Sequence, residues 1–62
     1  MKKWKLVDSY EGWDVLGYFD HLNSVKKVCR ERDLDTDGEW SPILYKWDEK
    51  RQQYYIYEDW SY

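Results

Sequence analysis

Alternating carboxylates in the middle of the chain are the residues with the clearest potential for chemistry. Asp33, Asp35 and Asp37 stand two positions apart, and Gly38 and Glu39 follow them. Carboxylates at this spacing, followed by a glycine that permits a sharp turn, are typical of a loop that binds calcium. One interpretation is a calcium site whose ligands are the side chains of the three aspartates and the backbone carbonyl of Glu39. The alternative is a solvated loop in which the aspartates and Gly38 favour turns.

These residues resemble the first half of an EF-hand calcium loop, which ends with a bidentate glutamate at its twelfth position. Counting from Asp33 puts Leu44 at that position. An aliphatic side chain does not ligate a cation, so the resemblance implies weak binding unless Asp48, Glu49 or a carboxylate of a partner completes the site. The sequence predicts no cofactor, and calcium is the one candidate that this segment leaves open.

Other catalytic or metal-binding patterns are absent from the sequence. Cys29 is the single cysteine and His21 the single histidine, so neither a zinc site of four nitrogen and sulfur ligands nor a Cys/His nucleophile pair is supported. We therefore expect a protein that is not an enzyme. A lone thiol forms no intramolecular disulfide, and no apolar run approaches the roughly 20 residues that span a bilayer. These features predict a cytoplasmic protein that does not insert into membranes.

Hydrophobic periodicity predicts the elements that position the acidic segment. A period of two indicates strands at 3–9, 13–19, 43–48 and 54–58, and a helical period begins after Asp20. Its apolar stripe consists of Leu22, Val25, Val28 and Cys29. The chain of 62 residues thus predicts a single α+β domain of order ββαββ. We expect an antiparallel sheet of three to four strands with one helix packed on one face.

Finer features of the helix and the core follow from the same patterns. Asp20, Asn23 or Ser24 is expected to cap the helix, and Leu34 is expected to be its last apolar contact before the acidic loop. On the sheet, Leu6 or Trp4 joins the core according to register. The other predicted core residues of the sheet are Val15, Phe19, Ile43, Tyr45 and Ile56.

Aromatic residues make up 21% of the chain, with five Trp, seven Tyr and one Phe, which is more than so small a core requires. Tyr and Trp are enriched at protein interfaces, so the surplus indicates a contact surface. The alternative is that these rings cover a sheet face and stabilise it through cross-strand pairs. The predicted partner-binding residues are Trp40, Tyr55, Tyr57 and Trp60 together with Asp35, Asp37 and Glu39.

Charge narrows the class of partner. The net charge of −3 argues against nucleic-acid binding and favours a protein partner with a basic surface. Our leading hypothesis is a non-enzymatic protein-binding module, such as an acidic inhibitor of a nucleic-acid-processing protein with a basic groove. A calcium-dependent structural or sensor domain is the alternative, and single-stranded nucleic acid held by Lys2, Lys3 and Lys5 is a weaker one. Pairing with a second copy to form a homodimer stays open.

Overall fold

A computed structural model describes residues 1–60, which form one sheet and one helix. The strands are β1 (Trp4–Asp8), β2 (Asp14–Phe19), β3 (Pro42–Asp48) and β4 (Gln53–Asp59), and the helix α1 (Leu22–Thr36) lies between β2 and β3. This confirms the predicted α+β class and the order ββαββ. In the described part of the chain, no helix has the length and apolar character needed to cross a membrane.

The four strands form an antiparallel sheet in the order β2-β1-β3-β4, so the first and third strands are central. Each outer strand is joined to its inner neighbour by a hairpin. Gly12 adopts a φ of 118° in the turn between β1 and β2, where the sequence predicts a turn at Glu11-Gly12. The polar connection between β3 and β4 contains no glycine, and Gln52 takes the left-handed conformation there with a φ of 54°.

Two irregularities in strand pairing change which side chains share a face. Leu6 is paired with Gly17 and Val7 with Val15, which leaves Leu16 as an additional residue in β2. In the same way, the pairing of β3 with β4 skips Tyr57. An extra residue in one strand reverses the alternation of side chains beyond it. In β2 and β4, strict alternation along the strand therefore fails to predict on which face a side chain lies once the extra residue is passed.

The main core lies between the helix and one face of the sheet. It consists of Trp4 and Leu6 from β1, Leu44 from β3, Val25 from the helix and Trp40 from the loop after the helix. All five side chains are buried. Leu16, Phe19, Val28 and Cys29 pack against this cluster and are partly buried.

The predicted core is partly wrong. Phe19 lies on the helix side as predicted, and both Leu6 and Trp4 join it. Val15, Ile43, Tyr45 and Ile56 point to the opposite face, because their register partners are residues of that face. Strand alternation reveals which residues share a face but not which face the helix covers, and a shift of one residue exchanges the two faces.

The helix differs from the prediction at both ends. His21 is the N-cap and makes no side-chain capping hydrogen bond, so none of the three predicted residues caps the helix. At the other end the helix continues to Thr36, past the predicted start of the acidic loop. Leu34 is 81% exposed and is not a core contact. It lies two residues, about 200° around the helix, from Arg32, which faces the sheet.

Candidate functional site

The sheet face opposite the helix carries most of the rings that the core does not bury. Directly paired residues of an antiparallel sheet share a face, so the register identifies the members of this face within the strands. Trp13 precedes β2 and is included because its ring meets that of Tyr45. Within residues 1–60, no helix or second sheet covers this face. We call this surface the open face; it consists of Lys5, Val7, Trp13, Val15, Tyr18, Ile43, Tyr45, Trp47, Tyr54, Ile56 and Asp59.

Aromatic contacts join the strands across the open face. The ring of Tyr54 lies 5.0 Å from Trp47 and 5.7 Å from Tyr18, measured between ring centroids, so it links the two edge strands with β3. At the other end of the face, Trp13 meets Tyr45 edge to face at 6.3 Å. Such pairs contribute about 0.5–1.5 kcal/mol each beyond the area that they bury. These contacts hold the rings in a fixed layer.

The layer is accessible to solvent even though aliphatic residues beneath it are not. Trp13, Tyr18 and Ile56 are 59%, 48% and 52% exposed. Val7 and Ile43 are paired with each other in register and are buried on this face, apart from the helix-side cluster. The open face therefore combines a small buried aliphatic centre with exposed apolar and aromatic side chains.

Lys5 lies in the middle of the open face, between Tyr18 on one neighbouring strand and Tyr45 on the other. Its ammonium group is 5.2 Å from the ring centroid of Tyr45 and 5.8 Å from that of Tyr54. Both distances are within the range of a cation–π interaction. The half-buried lysine thus places a positive charge among the rings.

Two tyrosines of the open face are held in their neutral form. Burial raises the pKa of Tyr45, and the carboxylate of Asp59 raises it further. Burial also raises the pKa of Tyr54, with a smaller contribution from Tyr18. The hydroxyl of Tyr54 donates a hydrogen bond of 2.7 Å to the backbone carbonyl of Lys2. Neither phenol is suited to act as a base near neutral pH, so these rings serve packing and contact.

The predicted aromatic contact residues do not form one surface. Trp40 is buried in the core, and its indole N–H donates a hydrogen bond to Asp33, so its ring does not lie on the surface. Tyr55 and Tyr57 are exposed but point to the helix side of the sheet, where Tyr57 meets Trp4 at 5.1 Å. Trp60 follows β4, and its indole donates a 2.5 Å hydrogen bond to Glu58.

The predicted acidic loop is largely helical. Asp33 and Asp35 belong to the last turns of α1. Residues two positions apart on a helix point to nearly opposite sides. Asp37 ends the helix in the left-handed conformation with a φ of 53°, and the N–H of Gly38 donates to the carbonyl of Asp33. Glu39 lies in the following loop. Helix geometry therefore separates the side chains that a calcium loop brings together.

No group of three or more His, Cys, Asp or Glu side chains is placed to hold a metal ion in residues 1–60. Asp33 instead has a structural contact, since its carboxylate accepts the hydrogen bond from Trp40 and ties the loop to the helix. Asp35, Asp37 and Glu39 are exposed. The acidic residues thus lie on the helix and the loop after it, not on the open face.

A partly buried ion pair joins the helix to the sheet, and sequence reasoning missed it. Asp8 is buried at the end of β1 and accepts two hydrogen bonds from the guanidinium of Arg32, at 2.9 and 3.3 Å. It also accepts backbone N–H groups of Tyr10 and Ser41 at 3.0 and 3.1 Å. Asp8 alternates with Trp4 and Leu6, and Arg32 lies seven positions after Val25. Both positions indicated the helix–sheet interface.

Backbone hydrogen bonds, together with the ion pair, favour the ionised form of Asp8. Burial alone raises the pKa of this carboxyl, but the backbone N–H groups of Tyr10 and Ser41 and the Arg32 guanidinium together hold it below the ordinary value of 3.8. Arg32 also approaches Asp14 at 3.7 Å. These groups line a polar cleft of about 500 Å³ that also includes Tyr10, Glu11, Trp13, Thr36 and Glu39.

The single thiol of the chain lies in surroundings that favour its protonated form. Cys29 is half-buried against the core, and burial raises the pKa of its thiol, with a further contribution from Asp33. A raised pKa keeps the sulfur protonated and a poor nucleophile near neutral pH. The expectation that the protein is not an enzyme stays a prediction.

Comparisons with protein-family models, with curated proteins and with solved structures found no match to this chain.

Proposed function

We propose that this chain is a small protein-binding module and that its partner docks on the open face. The observation that carries the proposal is the layer of paired rings on this face, of which Trp13 and Tyr18 are the most accessible and which no described helix or second sheet covers. Aromatic side chains lose little conformational entropy on binding and bury a large area, so they anchor many protein interfaces. The paired rings are already held by one another, which lowers the entropy that binding must cost.

The exposed acidic residues contribute to the proposal in a different way. Asp35, Asp37 and Glu39 lie outside the ring layer, so they act at long range on a partner with a basic surface. An inhibitor that occupies the basic groove of a nucleic-acid-processing protein would combine both features. The single thiol of Cys29 supports assigning the module to a reducing compartment such as the cytoplasm.

Affinity capture with matched variants tests the proposal. The bait is the full chain, and the test variant replaces two accessible residues of the open face, Trp13→Ser with Ile56→Ser. The control is Leu34→Ser, because Leu34 is an apolar residue of the helix that is 81% exposed and lies away from the open face. Circular dichroism first establishes that all three proteins are folded at the capture temperature.

We expect a partner that the wild type and the Leu34→Ser control retain and that the open-face variant loses. Replacing Asp35 and Asp37 by Asn should slow association with this partner and reduce its dependence on salt, while the dissociation rate changes little. If every captured protein binds the wild type and the open-face variant equally, the proposal is wrong.

The calcium-dependent alternative lacks a comparable observation, because the predicted ligands are separated on the helix. It has its own direct measurement, which is the melting temperature with and without millimolar calcium. A ligand that binds the folded state raises this temperature. An increase that Asp35→Asn with Asp37→Asn removes would favour calcium binding over the module proposed here.

A further inference from the structure

The charge of Lys5 restricts what can cover the open face. Lys2, Arg32 and Arg51 each lie within 4.0 Å of a carboxylate oxygen. Lys5 has no such ion pair with any residue in 1–60, and the contacts of its ammonium are the rings of Tyr45 and Tyr54. A partner that covers these rings also removes water from this ammonium group.

An ammonium group that loses water without gaining an anionic partner is destabilised. A purely apolar partner would therefore bury the charge at a cost that offsets the contacts it gains on the rings. A carboxylate placed over Lys5 supplies both an opposite charge and a hydrogen-bond acceptor. The open face is consequently complementary to a surface that is apolar at its margins and anionic at its centre.

Two other occupants fit less well. A second copy packed face to face about a two-fold axis through the middle of the sheet would bring its own Lys5 close to the first, and like charges repel. Single-stranded nucleic acid can stack on the rings, but it places a phosphate at every nucleotide and gains most of its affinity from several cations. The open face offers one central lysine, includes Asp59, and belongs to a chain with a net charge of −3.

We propose that the open face binds a protein segment in which an aspartate or glutamate is flanked by apolar or aromatic side chains, and that Lys5 selects this segment by pairing with its carboxylate. This inference rests on the proposed function, since it names the partner chemistry of the same surface. It also separates two roles of charge. The acidic residues after Asp33 attract a basic partner from a distance, whereas Lys5 forms an ion pair with one acidic side chain in the bound complex.

The probe for this inference is a displayed library of random dodecapeptides. Binders are selected on the wild type and depleted on the variant Trp13→Ser with Ile56→Ser, so that the survivors depend on the open face. Enriched peptides are then synthesised in two forms, with their acidic residues intact or replaced by the corresponding amides. Affinities are measured by fluorescence anisotropy at low and at high salt.

Lys46→Gln is a matched control for Lys5→Gln. Lys46 is also half-buried on a central strand, and its ammonium lies 5.7 Å from the ring of Trp4 and 5.4 Å from that of Tyr57. It points to the helix side of the sheet, because its register partner is Trp4. Both variants remove one positive charge and the same type of ring contact, so a difference between them reports the open face alone.

We expect the enriched peptides to carry a central Asp or Glu, and we expect the change to an amide to weaken binding about tenfold for the wild type and for Lys46→Gln. Lys5→Gln should weaken binding of the acidic form by a similar factor and should bind both forms equally.

Peptides that need the open face but show no acidic preference, or that bind Lys5→Gln as tightly as the wild type, would overturn the inference and leave the proposed function standing. Failure to recover any peptide that depends on the open face counts against both. Two further outcomes overturn the inference in favour of another occupant. One is a wild-type dimer in sedimentation equilibrium that the open-face variant abolishes, and the other is binding of a labelled oligothymidine that this variant removes.

Discussion

The two faces of the sheet use the same strands for opposite purposes. On the helix side, Leu6 and Leu44 are fully buried by the helix, and the polar exception, Asp8, is paired with Arg32. On the open face, rings lie against one another and against Lys5, while Trp13, Tyr18 and Ile56 stay accessible. On the helix side, the carboxylate of Asp8 is paired with Arg32. On the open face, the ammonium group of Lys5 lies near the rings of Tyr45 and Tyr54.

This difference teaches which face stabilises the fold and which is available for binding. A chain of this size has a free energy of unfolding of roughly 3–9 kcal/mol at the usual contribution per residue. Most of that margin depends on apolar area removed from water, and the main buried cluster lies on the helix side. Changes on the helix side should therefore affect stability strongly, whereas changes on the open face should affect mainly binding.

The largest loss of stability is expected from a cavity in the core beneath the helix. Leu44→Ala removes a side chain that is 1% exposed and should lower the free energy of unfolding by about 3 kcal/mol, because it leaves a cavity. Ile56→Ala on the open face should cost less than about 1 kcal/mol, because Ile56 is already half exposed. Urea denaturation of both variants measures the contrast. Equal losses would contradict the assignment of the two faces.

The second effect concerns the partly buried ion pair. Asp8→Asn removes the charge that pairs with Arg32 and should cost about 2 kcal/mol at neutral pH. The folded pKa of Asp8 lies below its ordinary value, so its contribution to stability is complete above about pH 4 and is lost as the pH falls through the folded pKa. The difference in free energy of unfolding between wild type and Asp8→Asn, measured by urea denaturation, should therefore decrease below about pH 4.

Asp20→Asn is the control for this ion pair, because Lys2 and Asp20 form a bridge on the surface. This replacement should leave the denaturation midpoint unchanged within error. A gap between Asp8→Asn and the wild type that stays constant down to acidic pH would indicate that the carboxylate charge has no role.

A smaller loss of stability is expected at Gly17, where the ring of Phe19 lies against the backbone of β2. A Cβ atom added at Gly17 would lie 2.9 Å from the ring of Phe19, so Gly17→Ala forces that ring to move. We expect a loss of about 1 kcal/mol in thermal or urea denaturation. Combining the change with Phe19→Leu removes the conflict, so the loss caused by Gly17→Ala should largely disappear in that background. Full persistence of the loss would locate its origin elsewhere.

The smallest effect is a gain of stability, and it concerns the N-cap of the helix that covers one face of the sheet. His21 is the N-cap without a side-chain hydrogen bond, so His21→Ser supplies an acceptor for an N–H group of the first turn. The melting temperature should rise, which corresponds to about 0.5–1 kcal/mol of added stability. His21→Ala offers no acceptor and should not raise it. The open-face contacts should be unaffected by either change, so binding of selected peptides should stay the same.

The open face shows which groupings of side chains could not be predicted from the sequence. The surplus of rings correctly indicated that several would remain exposed, and Tyr55, Tyr57 and Trp60 are indeed accessible. The sequence did not reveal that Trp40 fills the core or that Tyr18, Tyr45 and Tyr54 gather around Lys5. Those groupings arise from register between strands that are distant in the chain, and the extra residues Leu16 and Tyr57 shift that register locally.

Local periodicity by itself determined the secondary structure and its order. A period of two in the strands and a helical stripe around Val25 depend only on neighbouring residues, so they can be read from the chain. Tertiary structure alone decided which sheet face the helix covers, that Asp33 and Asp35 continue the helix, and that Asp8 meets Arg32. Each of these outcomes depends on which packing buries the most apolar surface while pairing every buried charge, and that balance involves the whole molecule at once.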